Sequence, residues 1–155
     1  MTEMLRLPSK YFGEIEYESK DVIHFASGLF GFEEEQEFLL MPFDGSGGGM
    51  LCLQSVKTPA LAFVAVNPFS YKPDYAPELA PQELARLEAA DSRELCYYAL
   101  CVVREPVADS TVNLRCPIVV NDRTRQAVQT ILDTPEYGMR HPLSELHSQK
   151  EEAPC

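Results

Sequence analysis

The chain alternates between apolar and polar residues over short stretches, and in most of them the period is two. Residues 10–18 put Tyr11, Gly13, Ile15 and Tyr17 on one side and Phe12, Glu14, Glu16 and Glu18 on the other, which predicts a half-buried strand with an acidic outer face. Residues 21–25 predict a second short strand. Gly28-Leu29-Phe30-Gly31-Phe32 follows, where two glycines predict a tight turn tucking Leu29, Phe30 and Phe32 inward. Residues 37–43 predict a strand whose end Pro42 confines to an edge or exit, and residues 44–49 a glycine-rich loop. Two further strands, 50–56 and 61–66, are split by a Lys57-Thr58-Pro59 turn. The second is apolar on both faces and stops at Asn67-Pro68.

One helix is predicted at residues 81–90: Pro81 suits a first helical position, Glu83 lies in the first turn, and Leu84 and Leu87 share a face. Residues 94–104 read as a central strand. Residues 111–121 alternate again, with Pro117 implying a bulge or an edge. Residues 125–132 read as a terminal strand, and the composition turns polar after Asp133. Seven or eight short strands and one short helix predict a mainly β fold, a small, partly closed β-barrel-like single domain over residues 1–133, with residues 134–155 a partly disordered tail.

The length of 155 residues suits one domain. No apolar run approaches the roughly 20 residues of a membrane-spanning helix, and residues 1–10 lack the apolar core of a signal peptide, so the expected location is the cytoplasm. The net charge of −11 changes the picture more. Nucleic-acid binding needs clustered Lys and Arg, and here the basic residues are scattered apart from Arg123 and Arg125, which argues against direct nucleic-acid or anionic-membrane binding. Positions 1–40 carry nine carboxylates against three basic residues, a net −6 of the −11. Concentrated charge of this kind accelerates encounter with an oppositely charged partner.

Candidate chemistry is sparse. The five cysteines, Cys52, Cys96, Cys101, Cys116 and Cys155, form no CxxC pair and read as reduced thiols. No sequence feature brings His24, His141 or His147 to a cysteine, no zinc-ligand spacing occurs, and Glu14 with Glu16 is the pattern of any solvated acidic strand. No catalytic residue, cofactor or metal is expected. A small ligand-binding barrel or hydrolase of unknown substrate stays open as the alternative to a protein-binding module.

Residues 10–40 (KYFGEIEYESKDVIHFASGLFGFEEEQEFLL), 53–69 (LQSVKTPALAFVAVNPF), 73–75 (PDY), 112–122 (VNLRCPIVVND) and 137–143 (YGMRHPL) together resemble the FliW family of flagellar assembly factors, over roughly residues 8–143. Two departures are the glycine run at residues 45–49 and Cys116 where a small residue such as alanine is expected. The resemblance implies a non-enzymatic regulator that binds flagellin and the translational repressor CsrA, the two competing for it. The expected partner-binding residues are Phe12, Glu14, Glu16, Glu18, Glu33, Glu34, Glu35, Asn67, Phe69, Tyr71, Asp74 and Tyr75, with aromatics beside charge (Tyr11 among them) as anchors. Asn67 and Asn113 match family positions.

Overall fold

The computed structural model describes residues 4–42, 50–106 and 109–143. In chain order the strands are β1 (Met4–Ser9), β2 (Gly13–Glu18), β3 (Ile23–Phe25), β4 (Glu37–Pro42), β5 (Met50–Ser55) and β6 (Ala62–Val66). Two short helices follow, α1 (Pro68–Tyr71) and α2 (Pro81–Arg86). The remaining strands are β7 (Cys96–Val102), β8 (Thr111–Val112), β9 (Ile118–Asn121), β10 (Gln126–Gln129) and β11 (His141–Pro142).

Seven strands form a closed ring in the order β7-β6-β5-β4-β3-β10-β9, shut by the antiparallel pairing of β9 with β7. The apolar β7 sequence serves three neighbours. Cys96 to Tyr98 face β9, Ala99 to Cys101 face β6, and Cys101 and Val102 also pair with β8, from which β11 continues the sheet. All ring pairings are antiparallel except β3 with β10. Closure removes the free edges that an open sheet would expose.

Alternation sends one side chain in two to the barrel interior. Ile23, Phe25, Phe38, Leu53, Cys96, Ile118, Val120 and Ala127 pack there, with Leu40, Phe63, Tyr98 and Leu100 against them. Every ring strand contributes, and Phe25 and Phe38 meet edge to face at 5.4 Å between ring centres. The interior is a packed core.

The outer wall is largely covered too. The hairpin β1–β2 lays Leu7 over Leu39 and Val22. The residues around α2 bring Leu84 and Leu87 onto Leu95, Tyr97 and Val119. Tyr75, Leu114, Leu132 and Tyr137 cover Val66, Ala99 and Cys101. Ring strands buried on both faces explain the two-sided apolar character of β6 and β7.

Several expectations change. The strand expected from residue 10 begins at Gly13. Residues 10–12 are the tip of a hairpin whose other arm, β1, the sequence reading did not predict; Ser9 Oγ accepts from Phe12 N and donates to Gly13 O there. A second helix, α1, forms because Asn67 Oδ1 caps Phe69 N ahead of Pro68. The helix expected at 81–90 is the six-residue α2, ended by Glu88 with φ of 54°. The alternating stretch 111–121 is two strands, because Asn113 Oδ1 accepts from Cys116 N and turns the chain before Pro117. The strand expected as terminal, β10, lies inside the ring between β3 and β9. The expected mainly β, barrel-like single domain is present, and the pairing of β9 with β7 completes its closure. The packed chain also runs past residue 133: Tyr137 is buried, β11 pairs with β8, and Leu143 N donates to Ser110 O. The expectations for residues 44–49, His147, Cys155 and the remainder of the tail lie outside the described residues. Cys52, Cys101 and Cys116 are free and buried, and burial pushes the Cys52 thiol up to about 11.

One buried polar side chain ties the hairpin to the barrel. Gln54, with no solvent exposure, accepts from Lys10 N at 2.9 Å and donates to Pro59 O at 2.9 Å and Leu61 O at 3.2 Å. Gln54→Leu takes the side-chain partner from Lys10 N and Pro59 O, while Leu61 O keeps Ser55 N. It is expected to cost ~2–4 kcal/mol and to lower the melting temperature by roughly 5–15 °C; an unchanged thermal melt would refute this role.

Candidate functional site

The acidic face of β2 is built as expected and then locally neutralised. Glu14 and Glu16 point to solvent, and the opposing strand places Arg6 between them, Nη1 3.5 Å from Glu14 Oε1 and Nη2 3.6 Å from Glu16 Oε1. Glu18 pairs with Lys20 at 3.2 Å. Such exposed pairs add little stability, but they lower the field the face presents. Phe12 sits half-buried in the hairpin turn, off the Glu14–Glu16 strand face on which it was expected.

The Glu33-Glu34-Glu35 run splits into two roles. Glu33 and Glu34 are exposed and have no cation within 4 Å among the described residues. Glu35 instead turns onto the β5–β6 connection, accepting from the hydroxyls of Ser55 and, at 2.6 Å, Thr58. Burial alone would raise its pKa. The two hydroxyl donors and the nearby Lys57 outweigh that and hold the carboxyl below its ordinary 4.5. Glu35 is thus spent on holding a turn.

The turn before it also departs from expectation. Leu29 is fully buried, yet Phe30 and Phe32 stand half-exposed at 50% and 41%. Phe32 stacks edge-on against Phe63, 5.2 Å away, and Phe30 N donates to the Gln129 side chain. Gly28 makes the turn possible: its φ is +66°, and a Cβ there would lie 2.5 Å from Glu33 O. The glycine bracket signalled the turn; alternation could not say which of its aromatics stays outside.

The second expected group lies around α1, and most of it is structural. Asn67 is the helix cap. Phe69 packs between Tyr75 and Tyr97, at 5.8 and 6.0 Å. Tyr75 is buried, its hydroxyl donating to Leu114 O at 2.7 Å, and burial drives its pKa far upward. Tyr71 is half-buried with its pKa likewise raised by burial. Asp74 is exposed and paired with Lys72 at 3.1 Å. Asn113, the other family-matching amide, closes its own turn.

His24 lies 3.8 Å from Glu37 on the open surface, and among the described residues no three His, Cys, Asp or Glu side chains gather as metal ligands. No described helix is long and apolar enough to cross a membrane.

Taken together, seven strands in a closed ring, a filled interior, short covering helices and carboxylates distributed outside define a small closed β-barrel. The FliW protein family model matches residues 6–143, and the chain belongs to that family. It is 40% identical over 139 residues to the flagellar assembly factor FliW of Geobacillus kaustophilus, covering 90% of this chain and 95% of that one. The corresponding Shouchella clausii protein is 37% identical, with 90% and 94% covered. A crystal structure of the flagellar assembly factor FliW superposes with a TM-score of 0.84 at 37% identity, covering 90% of this chain and 96% of that one.

Two outcomes are expected. Gly28→Ala forces strain and a backbone clash and costs at least ~2 kcal/mol, whereas Gly31→Ala, with open space at its Cβ, costs only about 1 kcal/mol; equal urea midpoints for the two variants would contradict this. Glu35, with its pKa depressed on folding, contributes stability that is present above pH 4.5 and lost as pH falls through the lower folded value. Titration of Glu35 by NMR should therefore show an upward shift in Thr58→Val, and an unshifted carboxyl would remove the hydroxyl from the account.

Proposed function

We propose that this chain is a flagellar assembly factor that works in the cytoplasm by binding flagellin and the translational regulator CsrA, and that it thereby relieves CsrA repression of flagellin translation. The observation that carries the reading is the family match across residues 6–143 with the same fold. The relatives are named assembly factors, and the physical character of the surface supports the partner class. An acidic exterior suits partners with basic patches, which an RNA-binding protein carries, and it disfavours direct contact with nucleic acid.

In this reading the chemistry is recognition alone. The stiff barrel displays Glu14, Glu16, Glu18, Glu33, Glu34 and Asp74 for electrostatic encounter, and apolar anchors supply most of the affinity. Phe12, Tyr71 and the exposed Tyr11 are the anchors near these charges. The alternative of a ligand-binding barrel or hydrolase is disfavoured by the packed interior, where Phe25, Phe38 and Leu53 fill the space a substrate would need.

Calorimetric titration of the purified chain with flagellin and with CsrA tests the proposal, with competition between the two as the expected result. Binding of neither would overturn it. Reversal of Glu14, Glu16 and Glu33 to lysine is expected to slow CsrA association several-fold at low salt and to flatten its salt dependence, with the thermal melt nearly unchanged. An unaltered association rate would show that these carboxylates do not steer the encounter.

A further inference from the structure

A groove of about 640 Å³ opens beside the Gly28 turn. Phe30, Leu79 and α2 line it together with β10, Thr130 and Ile131. Phe30 and Ile131 are 50% and 54% exposed, so two large apolar side chains stand in water at one site. Three carboxylates line the same groove, Glu78, Glu83 and Asp133, with Arg86 as the one cation in the lining. None of the three has a cation within 4 Å among the described residues, in contrast to Glu14, Glu16, Glu18 and Asp74. The exposed and unpaired Glu33 and Glu34 follow the same turn.

From this we infer that the groove is the docking site for a lysine- or arginine-bearing amphipathic helix of a partner protein. Half-exposed Phe30 and Ile131 supply the apolar anchors, and the open carboxylates receive the flanking cations. A helix fits better than an added strand. β10 pairs with β9 along its whole length and with β3 at Gln126 and Ala127, so beside the groove only Val128 and Gln129 are left unpaired on one side, too short an edge for strand addition. A helix needs only side-chain contacts along an apolar stripe. Because the anchors and the unpaired charge coincide, this site combines the two ingredients of an interface centre and its rim.

The inference rests on the partner reading above and locates its principal anchor away from the β2 face. It is tested with flagellin and CsrA as probes and three proteins: wild type, Phe30→Ser with Ile131→Ser, and Glu78→Lys with Glu83→Lys and Asp133→Lys. The replaced side chains are on the surface, so all three proteins are expected to melt alike. The serine pair should weaken at least one partner about tenfold or more, and the charge reversal should flatten the salt dependence for that same partner. A photo-cross-linking residue in place of Ile131 should capture a helical segment of it carrying Lys or Arg. If wild type binds and the serine pair binds equally well, the groove is not the site. Weakening without any change in salt dependence, or capture of an acidic or strand segment, overturns the cationic helix. Binding of neither probe by wild type overturns the partner reading itself, and the helix with it.

Discussion

The pairing of β9 with β7 is the constraint on which the rest of this molecule depends. Without it the nine-stranded sheet would be open, with one edge of β9 and the Cys96–Tyr98 stretch of β7 unpaired. With it, seven strands close around one core and each strand has an inside and an outside. Its consequence is rigidity. An interior filled by Phe25, Phe38, Phe63 and their neighbours resists deformation, because close packing leaves no volume into which side chains can shift. The hairpin and both helices then pack on the outside of that closed wall.

That division explains why so few of the acidic or aromatic residues near one another in sequence do the same work. Glu33, Glu34 and Glu35 are consecutive, yet the last is drawn into hydroxyl hydrogen bonds while its neighbours face solvent. Glu14 and Glu16 share a strand face, but Arg6 reaches both from β1. Asn67, Phe69 and Tyr75 serve the outer-wall packing. What remains available for recognition is set by subtraction: side chains that the barrel and its covering layers did not need. The Phe30 groove is the place where apolar surface and unpaired charge are left over together.

Much of the fold could be read from the chain because alternation with period two is a local property. Ile15 and Tyr17 against Glu14 and Glu16, or Val22 to Phe25 around His24, declare strands wherever they stand. The family resemblance was equally legible, since it lies in motifs of consecutive residues. Closure, the break at Asn113 to Cys116, the unforeseen β1, and the inward turn of Glu35 but outward stance of Phe30 were settled only in three dimensions. Apart from the local Asn113–Cys116 bond, each depends on a partner distant in sequence: β9 for β7, Gln54 for Lys10, Ser55 and Thr58 for Glu35, Gln129 for Phe30. Local patterning fixes which face a residue prefers; the long-range hydrogen bond or packing contact decides whether that face meets core, a neighbour or water.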